Sequence, residues 1–177
     1  MKKILVGLFL SFAFFAPNAL VADQFFGGVG LNPASGQPNY VADGFMNINL
    51  AYESARKSLA GWRFSYTMTN FKHRNSDTLK IKSQILAAEQ LFVAKIKPGL
   101  SLIGAFGPGL FITSVESGSS RSGTGIGLSA TGSIRFALTR SVFLGAAYHY
   151  KNCAVKIDNG TVDGGYQGLY LNVGAFF

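Results

Sequence analysis

The eight residues "MNINLAYE", Met46 to Glu53, alternate without a break. Met46, Ile48, Leu50 and Tyr52 share one parity, and Asn47, Asn49, Ala51 and Glu53 share the other. Successive side chains of a strand point to opposite faces, so the stretch predicts a strand that is apolar on one side and polar on the other. Seven more segments repeat the pattern. Phe25, Val29 and Leu31 share a face in Gln24 to Asn32. Trp62, Phe64, Tyr66 and Met68 oppose Arg63, Ser65, Thr67 and Thr69. A long fourth segment, Thr78 to Ala94, puts Glu89 on the same face as Leu91 and Val93, and a bulge near Ala87 and Ala88 would resolve that conflict. In the fifth, Leu100, Leu102, Phe106, Leu110 and Ile112 oppose Ser101, Ala105, Gly107, Gly109 and Thr113.

The sixth segment sets Ile126, Leu128, Ala130, Ile134, Phe136 and Leu138 against Ser129, Thr131, Ser133 and Arg135. The seventh sets Val142, Leu144, Ala146, Tyr148 and Tyr150 against Phe143, Gly145, Ala147, His149 and Lys151. The eighth, Tyr166 to Phe177, has Leu169, Leu171, Val173, Ala175 and Phe177 on its apolar face, with Gly168, Tyr170, Asn172, Gly174 and Phe176 behind them. A soluble domain seldom leaves a final strand unprotected with an aromatic terminal residue, and a closing strand at a lipid interface explains both features.

The first residues read differently. Lys2 and Lys3 precede an apolar or small run from Ile4 to Ala16, the two leading regions of a secretory signal peptide. The run falls short of the roughly 20 apolar residues a spanning helix needs. The signal peptide is expected at residues 1–22, cut after Ala22 or a few residues earlier, with residues 23–177 forming one domain. Without Lys2 and Lys3 the chain keeps 14 basic residues against 8 acidic ones. The single cysteine, Cys153, excludes an intrachain disulfide scaffold, and no later segment offers the 18 apolar residues of a membrane helix. An exported chain this apolar and this unstapled is expected to close its sheet.

The predicted fold is therefore all-β: an eight-stranded antiparallel up-and-down transmembrane β-barrel. Connections after the odd-numbered strands are long, among them "FKHRNSD", "ESGSSRSGTG" and Ala154 to Gly165. Those after the even-numbered strands are shorter on average, which matches long external loops and short periplasmic turns. An eight-stranded interior is filled by side chains. Glu53, Arg63 and Arg135 are expected to form a polar network there, with Asn47, Asn49, Ser129 and Thr131 around it. Lys72, His73, Arg74, Lys80 and Lys82 gather at the second long loop, and Lys72, Arg74, Lys80 and Lys82 are candidates to pair with lipopolysaccharide phosphates. Basic residues divided between both ends and the interior do not suit nucleic acid. "GTGIG" and "GAFGPG" read as glycines that let a sheet curve, with no helix after them to hold a phosphate. His73 and His149 without a Cys/His cluster give no metal site, and no cofactor is expected.

The signal peptide, the eight alternating segments and the strand ending at Phe177 resemble the small bacterial outer-membrane β-barrel superfamily, which includes the opacity-type porin-like proteins. The resemblance implies a Gram-negative outer-membrane location, and a final strand whose Leu169, Leu171, Val173 and Phe177 are read by the barrel-assembly machinery. A non-enzymatic role as a monomer is expected, structural or in surface interaction through four extracellular loops. Locally, "AYHYKNCAV" followed by "DGGYQGLYL" resembles the last hairpin of the lipid A 3-O-deacylases. His149 matches their histidine, Lys151 stands where their serine would be, and Tyr166 or Gln167 stands near their acid, with Asp163 a displaced candidate. Two alternatives stay open: an acyl hydrolase of that kind, and a narrow transporter of small apolar molecules.

Overall fold

A computed structural model describes residues 24–35, 39–43, 47–54, 60–139, 141–158 and 160–176, without the side chains of residues 32, 33 and 176. The expected signal peptide, at residues 1–22, and Phe177 lie outside the described residues. Eleven strands follow in chain order: β1 Gln24–Ser35, β2 Tyr40–Ala42, β3 Ile48–Ser54, β4 Ala60–His73, β5 Ser76–Lys97, β6 Leu100–Ser117, β7 Ser119–Ala137, β8 Val142–Asn152, β9 Ala154–Ile157, β10 Gly160–Asp163 and β11 Tyr166–Phe176. Eight of them, β1, β3 to β8 and β11, pair in antiparallel ladders that close on themselves. Seven ladders join barrel strands consecutive along the chain, and the eighth joins β11 to β1, from Gln24↔Phe176 to Ser35↔Tyr166. The short β2 pairs with the top of β4 above the end of β3. The eight-stranded antiparallel barrel expected from the alternation is the fold.

The parity expected from the sequence holds on every barrel strand that shows it. Outward-facing apolar residues form a continuous belt: Trp62 is 53% exposed, Phe106 55% and Val173 55%. An apolar surface on this scale, wrapped around a closed barrel, suits hydrocarbon and not water. The inward set, including Asn49, Glu53, Arg63, Thr67, Ser129, Arg135 and Lys151, is buried. Small residues let this narrow lumen form. A side chain added at the inward Gly107 would put its Cβ 2.1 Å from the Ala88 carbonyl oxygen of the neighbouring strand.

The structure departs from the sequence reading in three places. No bulge occurs at Ala87 and Ala88: the β4–β5 register runs unbroken from Lys80 to Phe92, so Glu89 and Leu91 both point inward. Leu91 is accommodated because this part of the lumen is apolar, with Ile103 and Ala105 beside it. The expected loops "FKHRNSD" and "ESGSSRSGTG" are largely strand. β4 and β5 pair up to His73↔Ser76, and β6 and β7 pair up to Ser117↔Ser119, with Gly118 turning the chain at φ 73°. Their polar residues face water on both sides above the belt, so pairing there leaves no apolar alternation in the sequence. Finally, the stretch expected as a loop from Ala154 to Gly165 contains the β9–β10 hairpin.

The result is a lopsided barrel. The 22-residue β5, 18-residue β6 and 19-residue β7 rise far above the 7-residue β3. A strand crosses a bilayer in about 9–11 residues, so the excess stands outside it as one sheet, in which β4 to β7 stay laddered up to the row of Lys72, Lys80, Glu116 and Ser120. This raised sheet marks the upper end of the barrel. At the lower end β5 turns into β6 at Gly99, where φ is 81°.

Candidate functional site

Ladder register brings the charged lumen together. Glu53 on β3 faces Arg63 on β4, and Arg63 faces Glu89 on β5, so three adjacent strands present minus, plus and minus in one row. Arg63 Nε lies 3.3 Å from Glu89 Oε2 and 3.7 Å from Glu53 Oε1. Arg135 reaches from β7 across the lumen and donates from both terminal nitrogens to the two Glu53 oxygens, with Nη2 to Oε1 at 2.7 Å, and also donates to Gln24 Oε1. This fork matches the planar carboxylate in a way lysine cannot.

Aromatic rings complete the lower end. The Arg135 guanidinium sits 4.4 Å from the centre of the Phe26 ring and 4.8 Å from that of Phe143, and Arg63 lies 5.3 Å from the Phe26 ring. Cations over ring faces gain electrostatically where water is excluded. On the other flank Glu89 accepts from Ser129 at 2.6 Å and more weakly from Ser65 and Thr131, while Lys151 donates to Ser129 Oγ at 2.7 Å. The structure thus brings Glu53, Arg63 and Arg135 together, and adds Glu89 and Lys151 to them. Glu89 escapes the sequence reading because the expected bulge leaves its face unassigned, and Phe26 escapes it because its neighbour Phe25 carries the outward pattern.

His149 lies on β8 facing Thr131 on β7, buried, with its ring 4.5 Å from that of Tyr170. Neither ring nitrogen meets a hydrogen-bond partner among the described residues. Lys151 occupies the next inward position and donates to Ser129, not to the imidazole. Asp163 accepts from the Gly165 amide at 2.7 Å, at the root of the β9–β10 hairpin. No three metal-ligating side chains cluster among the described residues.

The basic candidates stand on the upper end of the tall side. Lys72 faces Lys80 across β4–β5, and Lys80 faces Glu116 across β5–β6. Each lysine has a carboxylate at hand: Lys72 and Asp77 are 3.1 Å apart, Lys80 and Asp43 2.9 Å, and Lys82 and Glu116 2.6 Å. Arg74, in the tight turn between β4 and β5, is fixed through its backbone by a bond to the Asn39 carbonyl at 2.8 Å. Leu169, Leu171 and Val173 point outward along β11, each about half exposed. On the same wall Gly104 and Gly132 face each other in a row that runs from Phe92 to Tyr148 and Leu169, leaving an apolar groove of about 690 Å³ in the belt.

A closed eight-stranded barrel with an apolar outside and a salt-bridged inside defines a class, the small outer-membrane-type β-barrel. Among solved structures, Neisserial surface protein A shares the fold with a TM-score of 0.65, at 20% identity over 87% of this chain and 95% of that one. The outer membrane protein OprG from Pseudomonas aeruginosa follows at 0.61, with 13% identity over 88% and 96%. Ail, the attachment invasion locus protein of Yersinia pestis, was solved in complex with the heparin analogue sucrose octasulfate. It superposes at 0.56, with 18% identity over 88% and 97%. No protein-family model and no curated protein matches the sequence. At these identities the likeness is one of fold.

Proposed function

We propose that the chain is an integral outer-membrane protein of a Gram-negative bacterium, exported by the signal peptide expected at residues 1–22, with a structural or surface-interaction role and no catalytic one. The observation that carries this reading is the outward lysine set, Lys72, Lys80 and Lys82, placed on the tall side directly above the apolar belt. With the upper end outside, these cations lie at the level of lipopolysaccharide phosphates, and Arg74 at the tip extends the same surface. The neighbouring carboxylates of Asp77, Asp43 and Glu116 hold the lysines in place and moderate their charge. Lipid and lipopolysaccharide are thus the immediate partners, and the barrel works as a monomer. The outward face of Leu169, Leu171 and Val173, together with Phe177 of the same sequence parity, is the segment offered to the barrel-assembly machinery.

A lysine near an anionic lipid surface contributes about 1 kcal/mol. Changing Lys72, Lys80 and Lys82 together to alanine is therefore expected to weaken lipopolysaccharide binding by roughly tenfold, less than the full sum because each lysine already has a carboxylate. Titration of the refolded protein with lipopolysaccharide micelles measures this, and unchanged binding would remove the proposed contact.

The hydrolase reading is disfavoured by the position of His149 in the lumen, away from the acyl chains that such an enzyme must reach. Mass spectrometry of lipid A from cells with and without the protein is expected to give identical acylation, and His149→Ala to change nothing. Loss of one acyl chain that depends on His149 would reverse the assignment.

A further inference from the structure

The glycines of "GTGIG" do more than let β7 curve. Gly123, Gly125 and Gly127 have the inward parity of Ser129 and Thr131, and the backbone that follows β8 lies against them. A Cβ on Gly123 would sit 2.0 Å from the Lys156 carbonyl oxygen. One on Gly127 would sit 2.1 Å from that of Asn152, and one on Gly125 2.8 Å from Cys153 Sγ. No other residue allows so close an approach. The strand that uses it is β9, whose Val155 and Ile157 are buried against Phe71, Ile85, Phe111, Tyr166 and Tyr170, while Ala154 and Lys156 face out.

The hairpin is seated on the wall without being laddered to it. The β7–β8 ladder stops at Leu128↔Asn152, and β9 and β10 form a separate two-stranded sheet among the described residues. Its roots are the irregular Cys153 on one side and Gly164–Gly165 on the other, joined by the Gly164 amide donating to the Cys153 carbonyl at 3.0 Å. Its tip is tied to β7 by Arg121 and Asp158, 2.8 Å apart and both largely exposed. Exposed ion pairs hold weakly, and a unit that can move without breaking the barrel ladders is suited to local opening.

We propose that β9–β10 is a lid, docked on an inward glycine track of β7 and hinged at Cys153 and Gly164–Gly165. When it lifts, the apolar cluster of Phe71, Ile85, Phe111, Tyr166 and Tyr170 in the upper barrel is opened to the outside. Closed, it covers that cluster with Val155 and Ile157.

Cys153 is the sole cysteine, and its thiol is buried at the hinge, in the cluster that the lid covers, so it reports opening. The folded protein in phospholipid vesicles is exposed to a water-soluble maleimide, with labelling followed by intact mass and folding by electrophoretic mobility. Cys153 is expected to be labelled while the barrel stays folded, and Val155→Ser to accelerate labelling at least tenfold. Labelling no faster than barrel unfolding, or an unchanged rate in folded Val155→Ser, overturns the lid. Hydrogen exchange gives a second readout independent of that variant. Amides of residues 154–158 are expected to exchange at least tenfold faster than those of the β7–β8 ladder, and equal protection of the two sets also overturns the lid.

Discussion

Glu53→Ala is expected to destabilise the barrel by about 3–5 kcal/mol, the usual cost of removing one partner from a buried ion pair. Glu53 is contacted by Arg63 and by both terminal nitrogens of Arg135. Without it, Arg63, Arg135 and Lys151 share the Glu89 carboxylate, the one other buried carboxylate among the described residues, in a lumen where none of the five is more than a few per cent exposed. Most of the loss comes from guanidinium charge left uncompensated, so a double change of Glu53 and Arg135 to well-packed apolar residues is expected to cost less than Glu53→Ala alone. Urea unfolding in detergent micelles, followed by fluorescence of the sole tryptophan, Trp62, reads both variants. A loss below about 1 kcal/mol, in the range of exposed pairs, would mean that water solvates the guanidinium groups and that the row of charges is not a dry strut.

Leu171→Arg is expected to cost about 2–4 kcal/mol, the penalty for a cation at the middle of a barrel's lipid face. Leu171 sits between Leu169 and Val173 on the outward face of β11 and pairs with Val29 and Ala146 on the neighbouring strands, so the new charge meets only apolar neighbours there. The measurement is equilibrium folding into phospholipid vesicles. The same substitution at Ile126, near the top of the belt, should cost under about 1 kcal/mol because an arginine there can reach the interface. Equal penalties at the two positions would contradict the assignment of the belt to hydrocarbon.

Much of this architecture is legible in the sequence because lipid outside and a narrow lumen inside impose opposite demands on alternate residues. Parity alone assigns Trp62 and Arg63, or Leu144 and Phe143, to opposite faces. Phe143 shows the limit of the rule: it is apolar yet inward, because the lumen uses its ring under Arg135. Leu91 is a second such case, and its inward position is what makes the expected bulge unnecessary. Strand length is illegible wherever both faces meet water, since "RSGTG" on β7 reads the same as a loop. The β9–β10 hairpin is hidden for another reason, because four residues with two inward side chains are too few to show a period. Of the charged lumen, Glu53, Arg63 and Arg135 follow from parity, but their mutual contact depends on strand register, which no single strand encodes.

The ladder between β1 and β11 has a consequence for the order of events in folding. Every other barrel ladder joins strands consecutive along the barrel, whereas this one pairs the two extremes of the described chain. Before it forms, the sheet has two free margins of unpaired amides and carbonyls, which hydrocarbon cannot satisfy. Closure is therefore late and cooperative, and its rate is set by a search over the longest sequence separation in the molecule. A chain shortened by its final strand would lose the seam itself, and with it any form able to reside in a bilayer, not one part in eight of its stability.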